Sequence, residues 1–281
     1  MNDCLQNLIA KLRAAGADSP RLEAKMIQAH LLGCEESDSD LENRCLNEAQ
    51  QRVADEIIEK RGRHWPLCKL LGQKGFYKYD FVVSEDVLSP RPDTEVLVEA
   101  AIDEAKAAKT ETILDLGTGS GCIILSILGD VPGLRGYAVD ASEKALLIAA
   151  ENAERLKLDS RVKFFHGSWF DTDLPARLGT KFDMIVSNPP YIASSEIAGL
   201  EEEVKAHDPL SALDGGEDGL LHYRQIAALS AKIINPGGLI LLEGGLNQEN
   251  EITDIFVAAG FVLQRVVADL GGINRCIILK K

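Results

Sequence analysis

Short apolar runs alternate with helical stretches from residue 112 to the end of the chain, and this alternation most constrains the fold. The runs, rich in Val, Ile and Leu, cover Thr112–Leu116, Gly136–Asp140, Val162–His166, Met184–Ser187, Gly238–Glu243, Phe261–Ala268 and Cys276–Leu279. Helical stretches such as Ser142–Leu156 and Leu220–Ile234 lie between them. Near-continuous apolar strands joined by helices predict an α/β domain, with a mostly parallel seven-stranded sheet covered on both faces.

The first 90 residues have a different pattern. Apolar residues at helical spacing predict a first helix with a buried face of Leu5, Leu8, Ile9 and Leu12. A second helix is predicted to start at Ser19-Pro20 and to stop at Gly33. A third is predicted over Leu46–Glu59. β-forming residues from Phe76 to Leu88 predict a hairpin. We therefore expect a small N-terminal helical bundle domain over residues 1–74, a β-hairpin linker over 75–90 and the α/β domain over 91–281.

Composition excludes several classes of protein. The 281 residues include 44 Asp and Glu against 30 Lys and Arg, a formal net charge of −14, and residues 1–80 are nearly neutral. The α/β part is therefore strongly acidic, which argues against a protein that binds nucleic acid mainly through its phosphates. The apolar runs are too short to cross a bilayer, and the start lacks signal-peptide features. Six cysteines without a CxxC pair favour reduced thiols and a cytoplasmic protein.

A glycine-rich loop follows the first apolar run of the α/β part. Gly117, Gly119 and Gly121 would let the backbone turn tightly and bring a ligand close to the amides of the following helix. Asp140 ends the next strand, where a ribose diol would lie. The alternative is a tight strand-to-helix turn without a ligand. The combination resembles the nucleoside-binding half of S-adenosylmethionine-dependent methyltransferases more than a nicotinamide site.

A second motif follows the strand that ends at Ser187. It reads Asn188-Pro189-Pro190-Tyr191 and lies at the carboxyl end of a strand, where open α/β sheets bind ligands. The Asn188 side-chain carbonyl and the Pro189 backbone carbonyl could accept hydrogen bonds from an –NH2 group, beside the flat face of Tyr191. Held in this way, the nitrogen would direct its lone pair at an electrophilic methyl. The alternative is an edge turn rich in Asn and Pro.

Together these motifs resemble the peptide chain release factor glutamine methyltransferase family (PrmC/HemK). The resemblance covers essentially the whole chain. The motifs that carry it are Leu88–Glu95, Asp115–Gly121, Asp140–Ser142, Gly167–Phe170, Ser187–Ile192, Glu203-Val204, Asp208-Pro209 and Ala212–Leu220. The family usually has Ile at Ser89 and Glu at Asp208. The Asn-Pro-Pro-Tyr motif alone is shared with many amino-group methyltransferases, whereas its combination with Pro90–Glu95 and the Gly-rich run after Asp214 is narrower.

The resemblance implies a Rossmann-like methyltransferase domain that uses S-adenosyl-L-methionine, releases S-adenosyl-L-homocysteine, and methylates the glutamine of a release factor's Gly-Gly-Gln motif. The resemblance also implies which residues bind the cofactor. The methionine end would be bound by Gly117, Thr118, Gly119, Ser120 and Gly121, the ribose by Asp140 and the adenine by Trp169. Asn188 would bridge cofactor and substrate, and the catalytic and substrate-binding set would be Asn188, Pro189, Pro190 and Tyr191. The N-terminal helices would dock the release factor to a monomeric enzyme, with no membrane and no direct nucleic-acid contact.

Other interpretations stay open. The chain could methylate an exocyclic amine of DNA or RNA, or be a binding module without activity. Arg91 and Asp93 could close over the cofactor, or pair with each other and cap a helix at Thr94. A basic stretch could dock the substrate or be solvated surface; it comprises Arg61, Arg63, Lys69, Lys74 and Lys78. The five histidines show no metal-ligand spacing, so we expect no metal site.

Overall fold

The computed structural model describes residues 3–281. The helices are α1 (Asp3–Ala14), α2 (Pro20–Leu32), α3 (Glu48–Arg61), α4 (Leu67–Leu71), α5 (Glu95–Ala108), α6 (Cys122–Asp130), α7 (Glu143–Arg155), α8 (Leu174–Leu178), α9 (Glu202–His207), α10 (Leu221–Ile233) and α11 (Glu249–Ala258). The strands are β1 (Gln73–Phe76), β2 (Tyr79–Val82), β3 (Thr112–Leu116), β4 (Arg135–Asp140), β5 (Val162–His166), β6 (Phe182–Ser187), β7 (Ile234–Glu243), β8 (Val262–Ala268) and β9 (Asn274–Lys280). In the described range no helix is both long and apolar enough to span a membrane.

The chain divides into two compact units. One comprises Met1–Gln73 and Glu201–His207, and the other comprises Lys74–Leu200 and Asp208–Lys281. Helix α9 therefore belongs to the N-terminal unit although it lies far along the chain. Arg61 holds it there, because its guanidinium pairs with Glu23 of α2 and with Glu203 of α9, each at 2.9 Å.

The N-terminal unit is built from helices, as predicted, around its own apolar core. The predicted face of α1 is buried and packs against side chains of α2 and α3. Helix α3 begins two residues later than predicted, because Asn47 and Gln50 form a reciprocal capping box that fixes its first turn. The short helix α4 was not predicted.

A disulfide joins Cys4 in α1 to Cys45, before α3. The expectation that every cysteine is a reduced thiol is therefore wrong for this pair. The two Cα atoms lie 5.6 Å apart across 41 residues of chain. A disulfide needs such proximity in space, and without a CxxC pair the spacing in the sequence gives no sign of it.

Strands β1 and β2 form a small two-stranded sheet in the described chain. They lie at residues 73–82, earlier than the predicted hairpin over Phe76–Leu88. The turn between them includes Tyr77 at φ 54°, and the chain leaves regular structure after Val82. The side chain of Asn152 in α7 pairs with the backbone at the end of β2. It accepts from Val82 N at 2.7 Å and donates to Val82 O at 3.0 Å.

Within residues 3–281, seven strands form the main sheet in the order β5-β4-β3-β6-β7-β9-β8. Strands β3 to β7 are parallel and β9 is antiparallel to both neighbours. The prediction of a mostly parallel seven-stranded sheet is confirmed. The chain runs outward from β3 to β5 on one side, and from β6 to β7 on the other. The strand order therefore reverses between β3 and β6, where open α/β sheets leave a crevice outside the carboxyl ends.

Helices cover both faces of this sheet. Alternate residues of β6 point to opposite faces, so Met184 and Val186 pack in one apolar cluster and Ile185 in the other. Helices α5, α6 and α7 contribute to the first cluster, and α8, α10 and α11 to the second. Burial on both faces accounts for the apolar character of the strands and leaves polar side chains at their ends.

Candidate active site

The glycine-rich loop occupies the carboxyl end of β3. Gly117, Gly119 and Gly121 have φ angles of 76°, 54° and 80°, which residues with a Cβ rarely adopt. A Cβ at Gly117 would also lie 3.2 Å from the Trp169 ring. The loop therefore needs glycine both for its turn and for the close approach of the indole. Asn152 fixes the loop from α7, because its side chain donates to Ser120 O at 2.9 Å.

Asp140 ends β4 and lies against this loop. Its carboxylate accepts from Gly119 N at 2.8 Å and from Ser142 N at 2.9 Å. Burial raises the pKa of Asp140, and these backbone N–H groups oppose the rise. Each carboxylate oxygen has a further lone pair, so the side chain can still accept from a ligand.

Trp169 follows β5 and is held in place by His222 of α10. The indole Nε1 donates to His222 Nδ1 at 3.0 Å, and His222 Nε2 lies 2.9 Å from Asp214 O. An Nδ1 that accepts requires the proton on Nε2, which then donates to the Asp214 carbonyl. Sequence analysis did not identify His222 as part of the site, because a single histidine at the start of a helix carries no distinctive signal.

A cavity of about 370 Å³ brings most of these groups together. Its walls include Gly117, Gly119, Asp140, Trp169, Asn188 and Pro190. The cavity thus joins the loop after β3, the end of β4 and the turn after β6 at the crevice. Thr118 and Ser120 are buried within the loop instead, and Thr118 donates to Asp115 Oδ2 at 2.7 Å.

Asn188 lies at the carboxyl end of β6 and is tied to the start of α5. Its Nδ2 donates to Thr94 Oγ1 at 3.2 Å. Pro189 and Pro190 after it are buried. Neither proline has an N–H, so this turn leaves few backbone donors without partners while keeping its carbonyl acceptors.

Tyr191 is fixed by three glycines that leave no room for a side chain. A Cβ at Gly219 would lie 2.5 Å from Tyr191 O, one at Gly215 would lie 2.9 Å from Tyr191 C, and one at Gly245 would lie 3.0 Å from the Tyr191 ring. Gln248 Nε2 donates to Tyr191 O at 3.0 Å. The Gly-rich run after Asp214 therefore has a packing role, because it lets two loops meet at the motif. Burial raises the pKa of Tyr191 to about 12, so its phenol stays protonated.

Two fully buried carboxylates lie beneath the site. Asp115 is in β3 and Glu243 ends β7, and burial raises the pKa of each to about 7. The Thr94 hydroxyl and the Asn188 amide hydrogen-bond to the Glu243 carboxylate and oppose that rise. Sequence analysis named Thr94 only as the cap of a helix and missed Glu243, although a lone Glu that ends an apolar strand at the ligand-binding edge is a signal that could have identified it.

Arg91 and Asp93 do not pair with each other. Arg91 pairs with the buried Asp208 at 2.8 Å, and Asp93 lies 3.4 Å from Arg275 in β9. The idea that they form a mutual pair is therefore wrong, and neither side chain lines the cavity.

The basic stretch is largely engaged within the chain. Arg61 pairs with Glu23 and Glu203, Arg63 with Glu59, and Lys78 with Asp130. Lys69 donates to the His207 carbonyl. Arg63 and Lys78 remain exposed at the surface in these pairs. Among residues 3–281, no group of three His, Cys, Asp or Glu side chains could hold a metal ion.

Two family models match the chain, one for each part. Residues 82–205 match the methyltransferase small domain, and residues 3–72 match the PrmC N-terminal domain. The chain is 38% identical to the release factor glutamine methyltransferase of Rhodospirillum rubrum over 272 residues, which cover 96% of this chain and 82% of that protein. This chain belongs to the release factor glutamine methyltransferase family. It is therefore an S-adenosylmethionine-dependent methyltransferase.

Other members of the family show the same extent of similarity. The release factor glutamine methyltransferase of Moorella thermoacetica is 38% identical, with 99% of this chain and 97% of that protein covered. Among solved structures, a putative methyltransferase from Streptococcus mutans superimposes with a TM-score of 0.52 at 14% identity, over 75% of this chain and 56% of that one. That likeness shows the fold of the sheet-containing unit.

Proposed function

We propose that this family member transfers the methyl group of S-adenosylmethionine to the side-chain amide nitrogen of the glutamine in a release factor's Gly-Gly-Gln motif. The observation that carries the proposal is the position of Asn188. It lines the same cavity as Gly117, Asp140 and Trp169, in a chain 38% identical to release factor glutamine methyltransferases over nearly its full length. An amide group is therefore placed where a methyl donor and an –NH2 group could meet.

The chemistry of the cavity lining supports its use as the cofactor site. We assign the methionine end to the loop of residues 117–121, of which Gly117 and Gly119 line the cavity. We assign the ribose hydroxyls to Asp140 and the adenine to Trp169. In support, a Cβ at Gly119 would meet nothing within 4 Å, so the loop leaves open space there. Asp140 has lone pairs to accept from two hydroxyls, and Trp169 offers an aromatic face. When bound, S-adenosylmethionine supplies an electrophilic methyl group on a sulfonium.

The residues of the Asn-Pro-Pro-Tyr turn would act by positioning and by charge. An amide nitrogen is a poor nucleophile, because its lone pair is delocalised into the carbonyl. The Asn188 side-chain carbonyl and the Pro189 carbonyl would accept from the –NH2 group and bind it more strongly as it becomes cationic. Pro190 rigidifies the turn, and Tyr191 packs beside it as a neutral phenol rather than a base. The proton can leave after transfer, so no strong base is required.

The N-terminal helices are proposed to dock the release factor. We retain the division into residues 1–74 for docking, 75–90 as linker and 91–281 for catalysis, with the exception of Glu201–His207, which belong to the N-terminal unit. A separate apolar core in the N-terminal unit supports a module with its own role. We further propose that the enzyme is a monomer acting in the cytoplasm, where release factors work, without binding nucleic acid directly.

Methyl transfer from labelled S-adenosylmethionine tests the proposal. The acceptors are intact release factor, the same release factor with its Gly-Gly-Gln glutamine replaced by alanine, and double-stranded DNA. We expect label in the first acceptor alone. Label in DNA would favour the alternative, an enzyme for exocyclic amines of nucleic acids, and label in the alanine-substituted factor would place the methyl group on another residue.

A further inference from the structure

A buried carboxylate, that of Glu243, interacts with Asn188 and does not line the cavity. Glu243 is 2% exposed, so its charge is withdrawn from water. The Thr94 hydroxyl and the Asn188 amide hydrogen-bond to it, while its Oε2 has no hydrogen-bond partner among the described residues. Burying a carboxylate with incomplete pairing destabilises a fold, so packing alone does not account for this residue.

The hydrogen bonds around Glu243 have a fixed direction. Asn188 Nδ2 donates to Thr94 Oγ1 at 3.2 Å. Thr94 has one hydroxyl proton, and an ionised carboxylate can only accept, so that proton is donated to Glu243. The –NH2 end of Asn188 is thereby directed at Thr94 and Glu243. Its Oδ1 end is left for the acceptor nitrogen.

We propose that Glu243 is a positioning residue that acts through Thr94 to fix the orientation of the Asn188 amide, so that Oδ1 faces the nitrogen to be methylated. This inference rests on the proposed function. A protonated Glu243 could instead donate to Thr94 Oγ1, and Thr94 would then donate to Asn188 Oδ1. The Asn188 –NH2 group would turn toward the acceptor nitrogen, where it cannot accept the amino hydrogens. The ionised carboxylate is therefore the active form.

The surroundings of Glu243 set when it ionises. Burial raises its pKa to about 7; Arg275 opposes that rise and Asp93 adds to it. Further titratable groups interact with it from the neighbouring elements, namely Tyr191, Tyr223, Cys122 and Cys276. All four have pKa values raised by burial and are neutral near pH 7, so they keep their charge where Glu243 titrates. Asp115, the other buried carboxyl beneath the site, also has its pKa raised to about 7, and the Glu243→Gln variant retains it. The rate of methyl transfer should therefore rise as the pH increases through about 7.

Two substitutions in the full chain test the inference, each measured for kcat on intact release factor and for S-adenosylmethionine affinity by calorimetry. Glu243→Gln keeps the shape but cannot ionise, and Thr94→Val removes the linking hydroxyl. We expect kcat to fall by about tenfold or more for each at about pH 8. We also expect the rise through about pH 7 to be absent in Glu243→Gln, and cofactor affinity to change by less than about twofold.

Glu249→Gln is the matched control. Glu249 of α11 also has a buried unpartnered Oε2, but its Oε1 accepts from Asn274. It should keep wild-type kcat and pH profile. A wild-type enzyme that leaves the release factor unmethylated would overturn the proposed function. An active wild type with unchanged kcat and pH profile in both Glu243→Gln and Thr94→Val would overturn this inference alone, as would a loss of cofactor affinity in proportion to kcat.

Discussion

The Asp140 carboxylate both accepts hydrogen bonds from the backbone and forms part of the cavity wall. Asp140 accepts from two backbone N–H groups and lines the cavity at the same time. The sequence predicted an Asp at the end of this strand, but it did not predict the hydrogen bond from Gly119 N to Asp140. That bond depends on the path of the glycine-rich loop, and glycine can adopt many φ angles, so the sequence does not determine the path.

Asp140→Ala should weaken S-adenosylmethionine binding by about 1–3 kcal/mol, the usual cost of losing hydrogen bonds to a charged group. Titration calorimetry measures it, with Asp254→Ala on the exposed face of α11 as the control. An unchanged affinity in a folded Asp140→Ala variant would remove Asp140 from the cofactor site.

Asp115 should make the fold less stable as the pH rises. Its carboxyl ionises near pH 4 in the unfolded chain but only near pH 7 when folded, because burial raises its pKa to about 7. Between these values the folded state binds the extra proton, so the free energy of unfolding falls with rising pH by about 4 kcal/mol from this group. Denaturant unfolding of wild type and Asp115→Asn at about pH 4 and about pH 8 measures it.

We expect the free energy of unfolding of Asp115→Asn to increase relative to that of the wild type as the pH rises. A difference that is the same at the two pH values would mean that the Asp115 carboxyl titrates alike in both states.

Among the elements, the loops at the sheet edge are fixed by contacts between backbones. Gly219 at φ 73° and Gly133 at φ 85° share the same backbone preference, but only a Cβ at Gly219 would strike Tyr191 O. Ala at either position should cost about 1–2 kcal/mol of stability for the left-handed conformation. Gly219→Ala should in addition displace Tyr191 and lower kcat for methylation, whereas Gly133→Ala should not. Equal kcat in the two variants would show that this packing does not support the site.

The elements themselves were largely predictable. Apolar runs and their polar ends located β3 to β9, because burial on both faces demands such runs. The hairpin was placed several residues late, because its strands are short and Tyr77 adopts a positive φ in place of a glycine. Strand-end motifs indicated the cavity, but His222, Thr94 and Glu243 are single residues whose roles arise only when distant segments meet.

For the whole molecule, long-range pairing is the part that sequence patterns leave undetermined. Helix α9 joins the N-terminal unit through Arg61 and Glu203, 142 residues apart, and Cys4 reaches Cys45. Neither pairing has a local signal. The family resemblance pointed to Glu203 and Asp208, and the structure gives both an ion-pairing role.

A truncated chain beginning at Gly75 tests the docking role. The N-terminal core is separate from the two clusters on the sheet, so we expect this chain to fold and bind S-adenosylmethionine. It should lose methylation of intact release factor. Calorimetry and methyl-transfer assays measure the two properties, and full activity on the intact factor would contradict docking by these helices.

The most direct test of the central claim locates the methyl group. Intact release factor is incubated with S-adenosylmethionine and either wild-type enzyme or Asn188→Ala, then digested and sequenced by tandem mass spectrometry. The account predicts one added methyl group on the side-chain nitrogen of the Gly-Gly-Gln glutamine, formed on the order of 100-fold more slowly by Asn188→Ala, the usual cost of removing one preorganised polar contact. A methyl group on any other residue, or an equal rate with an Asn188→Ala variant that binds cofactor normally, would contradict it.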